Sequence, residues 1–596
     1  MNACLRPWIL AALAALVLRP FDALAVQELK IGGSGRFWSE TALIFSSVED
    51  TDGSLAPIEA DTTENLLTRV RELGGSAVSS VPVIGGSSEI LRQLADGDRS
   101  TGWRVFTNTN GAELRVDMGA VFTLSRLLFR RGVISSDERS LRGYEIFVND
   151  GDSLRSFIGT EPVFNLIARD PSHGEPELDV SFPPQPVRFL KLRSTGVRAF
   201  QMGDLEVFGS GVTPFAHFVS SVIELEGPAN FGPVTVSARV DANASVLFST
   251  KTGFAPDDSL YFRQTGRLSE VEEVPRGAFD RNLDPTNAGT VVENTRDWSV
   301  WSPPYTQLQG AMESPDNRQY LQFEFRLISN GLNDKAVIDS VSIAYTVPSL
   351  ADSVVGEITP ATAVVGETNQ FTMHLRSVVG DDERRGFDTV LISTPFEVSA
   401  ASVEVDGRSV ESEAQWTGDQ LRVAFPDDRI DRTGAEVAVQ FESLVTVAGT
   451  EFGTEVADSQ SDAFPQRFVA GDAAEAALSN RLIVSGTIED RLFADISVSS
   501  TVVTPNGDGL NDDVTLKYIL LKAIRPLTVT VTIYDLAGRP IRRLHDQRDS
   551  TGRYSIDWDG LDDGDRLVTP GLYVLRLVAE SDGGDVTAVR TIAVAY

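Results

Sequence analysis

The side chains best placed to do chemistry in this 596-residue chain are carboxylates and amides held in two short, glycine-rich loops. In the first, Asp96-Gly97-Asp98 presents two carboxylates and free carbonyls within a tight turn. In the second, Asn506-Gly507-Asp508-Gly509-Leu510-Asn511-Asp512 offers Asn506, Asp508, Asn511 and Asp512 as oxygen donors. Hard oxygen ligands at this density suit Ca2+, which takes roughly six to eight of them. Each loop reads equally as a plain turn, because Asp and Asn side chains bond their own backbone two residues on. The second loop is not an EF-hand, since its fifth position is Leu510 and its twelfth is Lys517 rather than Glu.

Other chemistries lack their residues. The four histidines are His173, His217, His374 and His545, and none stands in a His-Glu-x-x-His spacing, which argues against a zinc hydrolase. The single cysteine is Cys4, and no Gly-x-Ser-x-Gly elbow or phosphate loop occurs. Paired carboxylates for glycoside hydrolysis are available anywhere among 85 acidic residues, but each module is the size of a binding sandwich and leaves no room for a catalytic barrel. The expectation is a binding protein, not an enzyme.

Charge and leader narrow the setting. A net charge of −33 repels nucleic acid and anionic membrane and favours a chain that meets divalent cations. Arg6, the apolar run Trp8–Leu18 and Ala23-Leu24-Ala25 form a signal peptide over residues 1–25, which removes Cys4 and leaves no transmembrane segment. A secreted chain without disulfides points to a bacterial protein, exported or on the cell surface, whose domains are held by other means.

The elements that must position these loops are strands. Leu114, Val116 and Met118 alternate with polar neighbours, as do Val234, Val236, Ala238 and Val240, then Leu321, Phe323, Phe325 and Leu327, then Leu527, Val529, Val531 and Ile533. Period-two runs broken by Gly, Pro, Asn and Asp predict an all-β chain of several β-sandwich domains, jelly-roll and immunoglobulin-like, in series. One helix is expected over 64–73, stopped by Gly74-Gly75. The domain plan is a leading segment with that helix over 26–85, a first sandwich over 86–211, a second over 212–349, a spacer over 350–488 and a last module over 489–596. Trp298 and Trp301 read either as a sugar-stacking platform or as a core corner.

Three stretches carry family resemblances. Leu94–Trp103, Leu114–Gly119, Tyr144–Gly151, Val187–Leu192 and Asp204–Gly209, in that order, resemble the discoidin, or coagulation-factor type C, module of the galactose-binding-like fold. That resemblance implies a jelly roll with a structural Ca2+ and a ligand surface made by loops at one end. Carried onto this chain, the ligands are Asp96, Asp98 and Thr101, closed by Asp204 or its same-face neighbour Glu206. It further implies binding of carbohydrate or phospholipid head groups, with Arg104, Phe106, Asn108 and Asn110 as the ligand-loop candidates.

The spacer, with Ile358-Thr359-Pro360, Val364–Glu367 and Phe371–Leu375, resembles a bacterial immunoglobulin-like domain. Thr504–Asp512, Val531–Arg539, Asp557–Gly560 and Gly571–Leu575 resemble the immunoglobulin-like module of flagellar hook-cap proteins, and are similar to the sorting domains of type IX secretion substrates. The latter often end in basic residues, whereas this chain ends Ile592–Tyr596. The expected partner is an extracellular glycan or surface protein, with outer-membrane or secretion-machinery association implied by the last module. The alternative is a structural envelope or matrix protein making mainly protein contacts.

Overall fold

The computed structural model describes residues 26–596 apart from 84–88, 108, 134–139, 153, 265–270, 282–288, 381–385, 395–397, 399–400, 448, 478, 488–490, 522, 524 and 582. The expected signal peptide with Cys4, and Asn108, lie outside the described residues. The chain divides into two compact units, one of residues 27–349 and one beginning at Leu350. Both are built almost wholly of antiparallel sheet.

Within the first unit one sandwich is nested in another. Gln27–Gly32 pairs along Ala336–Thr346, from Gln27↔Tyr345 to Gly32↔Ser340. Ala42–Ser46 pairs with Phe215–Ser220, bringing Phe45 opposite Phe218. Ser54–Pro57 touches the same Ala336–Thr346 strand at Leu55. Residues 27–57 are therefore strands of the second sandwich, not a leading segment. Their core contribution is Trp38, fully buried against Phe218 at 5.4 Å between ring centres. The turn at Gly32, φ +81°, admits that indole: a Cβ there would lie 2.5 Å from it. The chain then leaves through Glu59–Ala60 and returns through Gly211–Val212, which pair with each other as a two-stranded neck.

Everything between belongs to the inserted module. The expected 64–73 helix shrinks to one 3-10 turn, Leu66–Arg69. Asn65 caps it by accepting Leu67 N–H at 3.1 Å and also accepts Val207 N–H at 2.9 Å, so tertiary bonds to a strand replace further helical turns. A helix not anticipated, Ile90–Ala95, buries Ile90, Leu91 and Leu94 immediately before the Asp-Gly-Asp loop.

Two long strands, Glu113–Arg131 and Leu178–Ser194, organise the module. Phe189–Arg193 pairs with Glu113–Asp117, and Leu178–Ser181 pairs with Arg126–Phe129, with register shifts between the halves. Each strand thus serves two layers: one with Tyr144–Asn149 and Asn165–Asp170, the other with Phe200–Gly209 and Trp103–Val105. The shared core holds Trp103, Phe122 and Phe200, with Leu114, Val116 and Met118 inward as the alternation predicts.

The second unit holds the spacer and the last module. The spacer core packs Phe371, Phe441 and Phe452 on one another at 5.3–5.8 Å. On its strand Ser353–Thr359, Glu357 is fully buried. Its carboxylate accepts the N–H groups of Ala473, Ala474, Ser479 and Asn480 and the Ser479 hydroxyl, all within 3.0 Å. Burial alone raises its pKa, but those donors outweigh burial and hold it at about 2. The last module sets Trp558 and Tyr518 between a three-stranded and a five-stranded sheet.

Candidate functional site

The described parts of four connections meet at one end of the inserted module: Gly111 N–H donates to the Ser194 carbonyl, Thr195 N–H donates to the Gly143 carbonyl, and Gly143 lies against Pro171. Phe106 follows the short strand Trp103–Val105 and is 58% exposed; Val133 and Val197 in the neighbouring connections are exposed as well. Asn110 is exposed in the same connection as Phe106. Arg104 turns elsewhere: its guanidinium donates to the Ser100 carbonyl, which ties it to the Asp-Gly-Asp loop.

A cavity of about 420 Å3 opens beside this end, walled by Arg99, Arg131, Val133, Glu175, Pro176 and Glu177. Two arginines and two glutamates line one space with apolar Val133 and Pro176, Arg99 being paired to Glu177 at 3.4 Å. Such a wall offers donors and acceptors in nearly equal number, which matches hydroxyl groups that both give and take hydrogen bonds. The chain gave no local signal for it, since Arg99, Arg131 and Glu175 are separated by more than 30 residues each.

The first acidic loop lies on the other side of Arg99. Asp96 accepts Asp98 N–H at 2.9 Å and the Thr101 hydroxyl at 3.1 Å, while that hydroxyl also lies 2.8 Å from the Asp98 carbonyl. Asp204 comes to this loop from Phe200–Gly209 and is 6% exposed. One of its oxygens, Oδ1, is buried without any hydrogen-bond partner. Burial, then the charge of Asp96, pushes its pKa above the ordinary carboxylate value, opposed by the Gly97 N–H. Glu206 does not join, because Arg130 Nε holds it at 2.6 Å.

Whether these residues fit a calcium ion turns on Asp204. Among the described residues no three His, Cys, Asp or Glu side chains gather as a metal group by themselves. An ion here would draw on Asp96, Asp98 and Asp204 together with the Thr101 hydroxyl and loop carbonyls, the mixed oxygen set that Ca2+ accepts and Zn2+ does not. The bulk charge is not the reason: residues 61–211 carry 17 Lys and Arg against 20 Asp and Glu, so most of the −33 lies elsewhere. The buried Asp204 oxygen without a hydrogen-bond partner is the feature such an ion would satisfy.

The second loop is arranged differently. Asp512 accepts Gly507 N–H on one oxygen and Gly509 N–H on the other, both at 2.7 Å. Asn506 accepts Asp508 N–H, Asp508 accepts Leu510 N–H, and the Asn511 carbonyl accepts Thr504 N–H. Those backbone donors lower the Asp512 pKa. Every acidic side chain of this loop already has a donor within it.

The tryptophan pair resolves to a core corner on one side. Trp298 is 4% exposed, lies against Gly253 and donates to the Ala255 carbonyl. The Lys251 ammonium stands 5.3 Å from its ring and 4.8 Å from that of Trp301.

No curated protein matches the chain. Among solved structures, the family 32 carbohydrate-binding module of Clostridium perfringens NanJ in complex with galactose is 16% identical, covering 25% of this chain and 99% of its own at a TM-score of 0.20. Chitosan-binding module 1 of a Paenibacillus chitosanase/glucanase is 19% identical over 24% of this chain and 98% of its own, TM-score 0.20. The lectin domain of Lectinolysin, complexed with Lewis B antigen, is 18% identical over 25% and 99%, TM-score 0.19. At the other end of the chain, residues 511–583 match the FlgD Ig-like domain.

Proposed function

We propose that this is an exported, non-catalytic protein that binds a neutral or weakly polar glycan through the loop end of its inserted module, with Ca2+ held by Asp96, Asp98, Thr101 and Asp204. The cavity lined by Arg99, Arg131, Glu175 and Glu177 carries the reading. Planar guanidiniums and carboxylates bond vicinal hydroxyls in pairs, and the exposed Phe106 ring offers an apolar face to the C–H side of a sugar. When bound, the ion supplies charge neutralisation and a rigid loop. In this reading the spacer and the C-terminal module present the binding head and serve display or sorting. Among the described residues no helix is long and apolar enough to cross a membrane.

A glycan array probed with the full chain tests this, and galactose and Lewis B antigen are sensible first probes. Binding that is lost on Phe106→Ala, with an unchanged melting temperature, is the expected result. A blank array removes the carbohydrate reading. One observation favours a second reading, that of protein contacts: Leu154 and Ile158 are 92% and 77% exposed around a hairpin pinned by Asn149, which donates to the Ser156 and Val163 carbonyls. A blank array together with self-association or protein capture supports that alternative.

A further inference from the structure

Arg99 belongs to two places at once. In the chain it stands between Asp98 and Thr101, inside the loop assigned to calcium. In space it walls the cavity assigned to the glycan. Its carbonyl accepts the Val133 N–H at 3.0 Å, and its guanidinium lies 3.4 Å from Glu177, so both its main chain and its side chain grip other walls of that cavity. From below it is wedged by the strand that carries Asp204: a Cβ on Gly203 would lie 2.9 Å from the Arg99 Cα.

We infer that calcium controls glycan affinity through Arg99, without touching the glycan. This rests on the carbohydrate reading above. With no cation, Asp96 and Asp204 repel one another beside a buried Asp204 oxygen that lacks a donor, and the loop relieves this by opening. Opening withdraws the Arg99 carbonyl from Val133 and the guanidinium from Glu177. The cavity then loses one of its two donor walls. A cation closes the loop, sets Arg99 and restores the wall. Linkage makes the effect mutual, so glycan binding tightens calcium binding by the same factor.

The test uses the full chain in EDTA and in Ca2+. Hydrogen exchange at the Val133 amide reports the Arg99 contact directly, and affinity for galactose and Lewis B antigen reports the cavity. Calcium is expected to slow Val133 exchange and to tighten saccharide binding about fivefold or more. Arg99→Ala is expected to keep the calcium-induced rise in melting temperature while its saccharide binding becomes weak and indifferent to calcium. Asp204→Asn is expected to lose the stabilisation and the coupling together. Calcium stabilisation with unchanged Val133 exchange overturns the coupling, as does equal saccharide affinity in EDTA and Ca2+. No calcium stabilisation at all overturns it too. If the wild type binds no saccharide in either condition, the carbohydrate reading fails on its own, and Val133 exchange still decides whether calcium sets Arg99.

Discussion

Glu357 and Asp204 are both buried carboxylates, one in each unit, and they sit at opposite electrostatic extremes. Glu357 is met by five donors from a loop that folds over it, and its pKa falls to about 2. Asp204 has a buried oxygen with no donor and a neighbouring carboxylate, and its pKa rises. A satisfied buried charge is a structural pin. An unsatisfied one carries its full desolvation cost, which raises its pKa. The two acidic loops differ at one position: Asp512 is closed by Gly507 and Gly509 and Asp98 by the Ser100 N–H, whereas Asp96 stands beside Asp204.

The largest effect expected is at Glu357. Its replacement by Ala strands several buried N–H groups at about 1–3 kcal/mol each, so the unit beginning at Leu350 should lose at least about 3 kcal/mol in urea unfolding. A change under about 1 kcal/mol would show that the loop finds other acceptors. Next comes calcium. The transition of residues 27–349 should rise by about 2.7 kcal/mol at a hundredfold excess of Ca2+ over its Kd, with little change in the other unit. Asp204→Asn should abolish that rise yet be at least as stable as the wild type in EDTA, because it removes an uncompensated charge.

How much of this was legible in the sequence differs by residue. The Asp96-Gly97-Asp98 turn shows itself by spacing alone, and Leu114, Val116 and Met118 by alternation. Asp204 and Thr101 came only with the family resemblance, since nothing local marks a carboxylate that will be orphaned more than 100 residues away. Glu206 looked equivalent to Asp204 until Arg130 claimed it. Arg99, Arg131, Glu175 and Glu177 were invisible as a set because two loops and the end of the strand Glu113–Arg131 bring them together. The nesting was missed for the same reason: Gln27–Gly32 is readable as a strand, but its partner lies about 310 residues on, and pairing is settled by burial of Trp38 and its neighbours rather than by local pattern.

Acid sharpens the contrast through sign. In EDTA, Asp204 has a folded pKa above its unfolded value, so its own contribution grows as pH falls through that folded pKa, against the lowered Asp61, Asp98, Asp179 and Glu324 of the same unit; Ca2+ should cancel it. Asp512 and Glu357 have folded pKa values below their unfolded ones, so their contributions are full above the unfolded values and fade as pH falls toward the folded ones. In EDTA the first unit of the wild type should lose less stability toward acid than that of Asp204→Asn, and indistinguishable pH profiles would remove the distinction. The smallest effect belongs to Glu206→Gln, which breaks its Arg130 pair but should leave the calcium response of the first unit unchanged in thermal melts. A lost response would return Glu206 to the ion.

The most direct test of the central claim is saccharide binding by the full chain in Ca2+, comparing wild type with Phe106→Ala on a glycan array. Sugar-dependent binding by the wild type, lost in a variant that melts at the same temperature, is the predicted result. A folded, calcium-stabilised wild type that binds no glycan would contradict it.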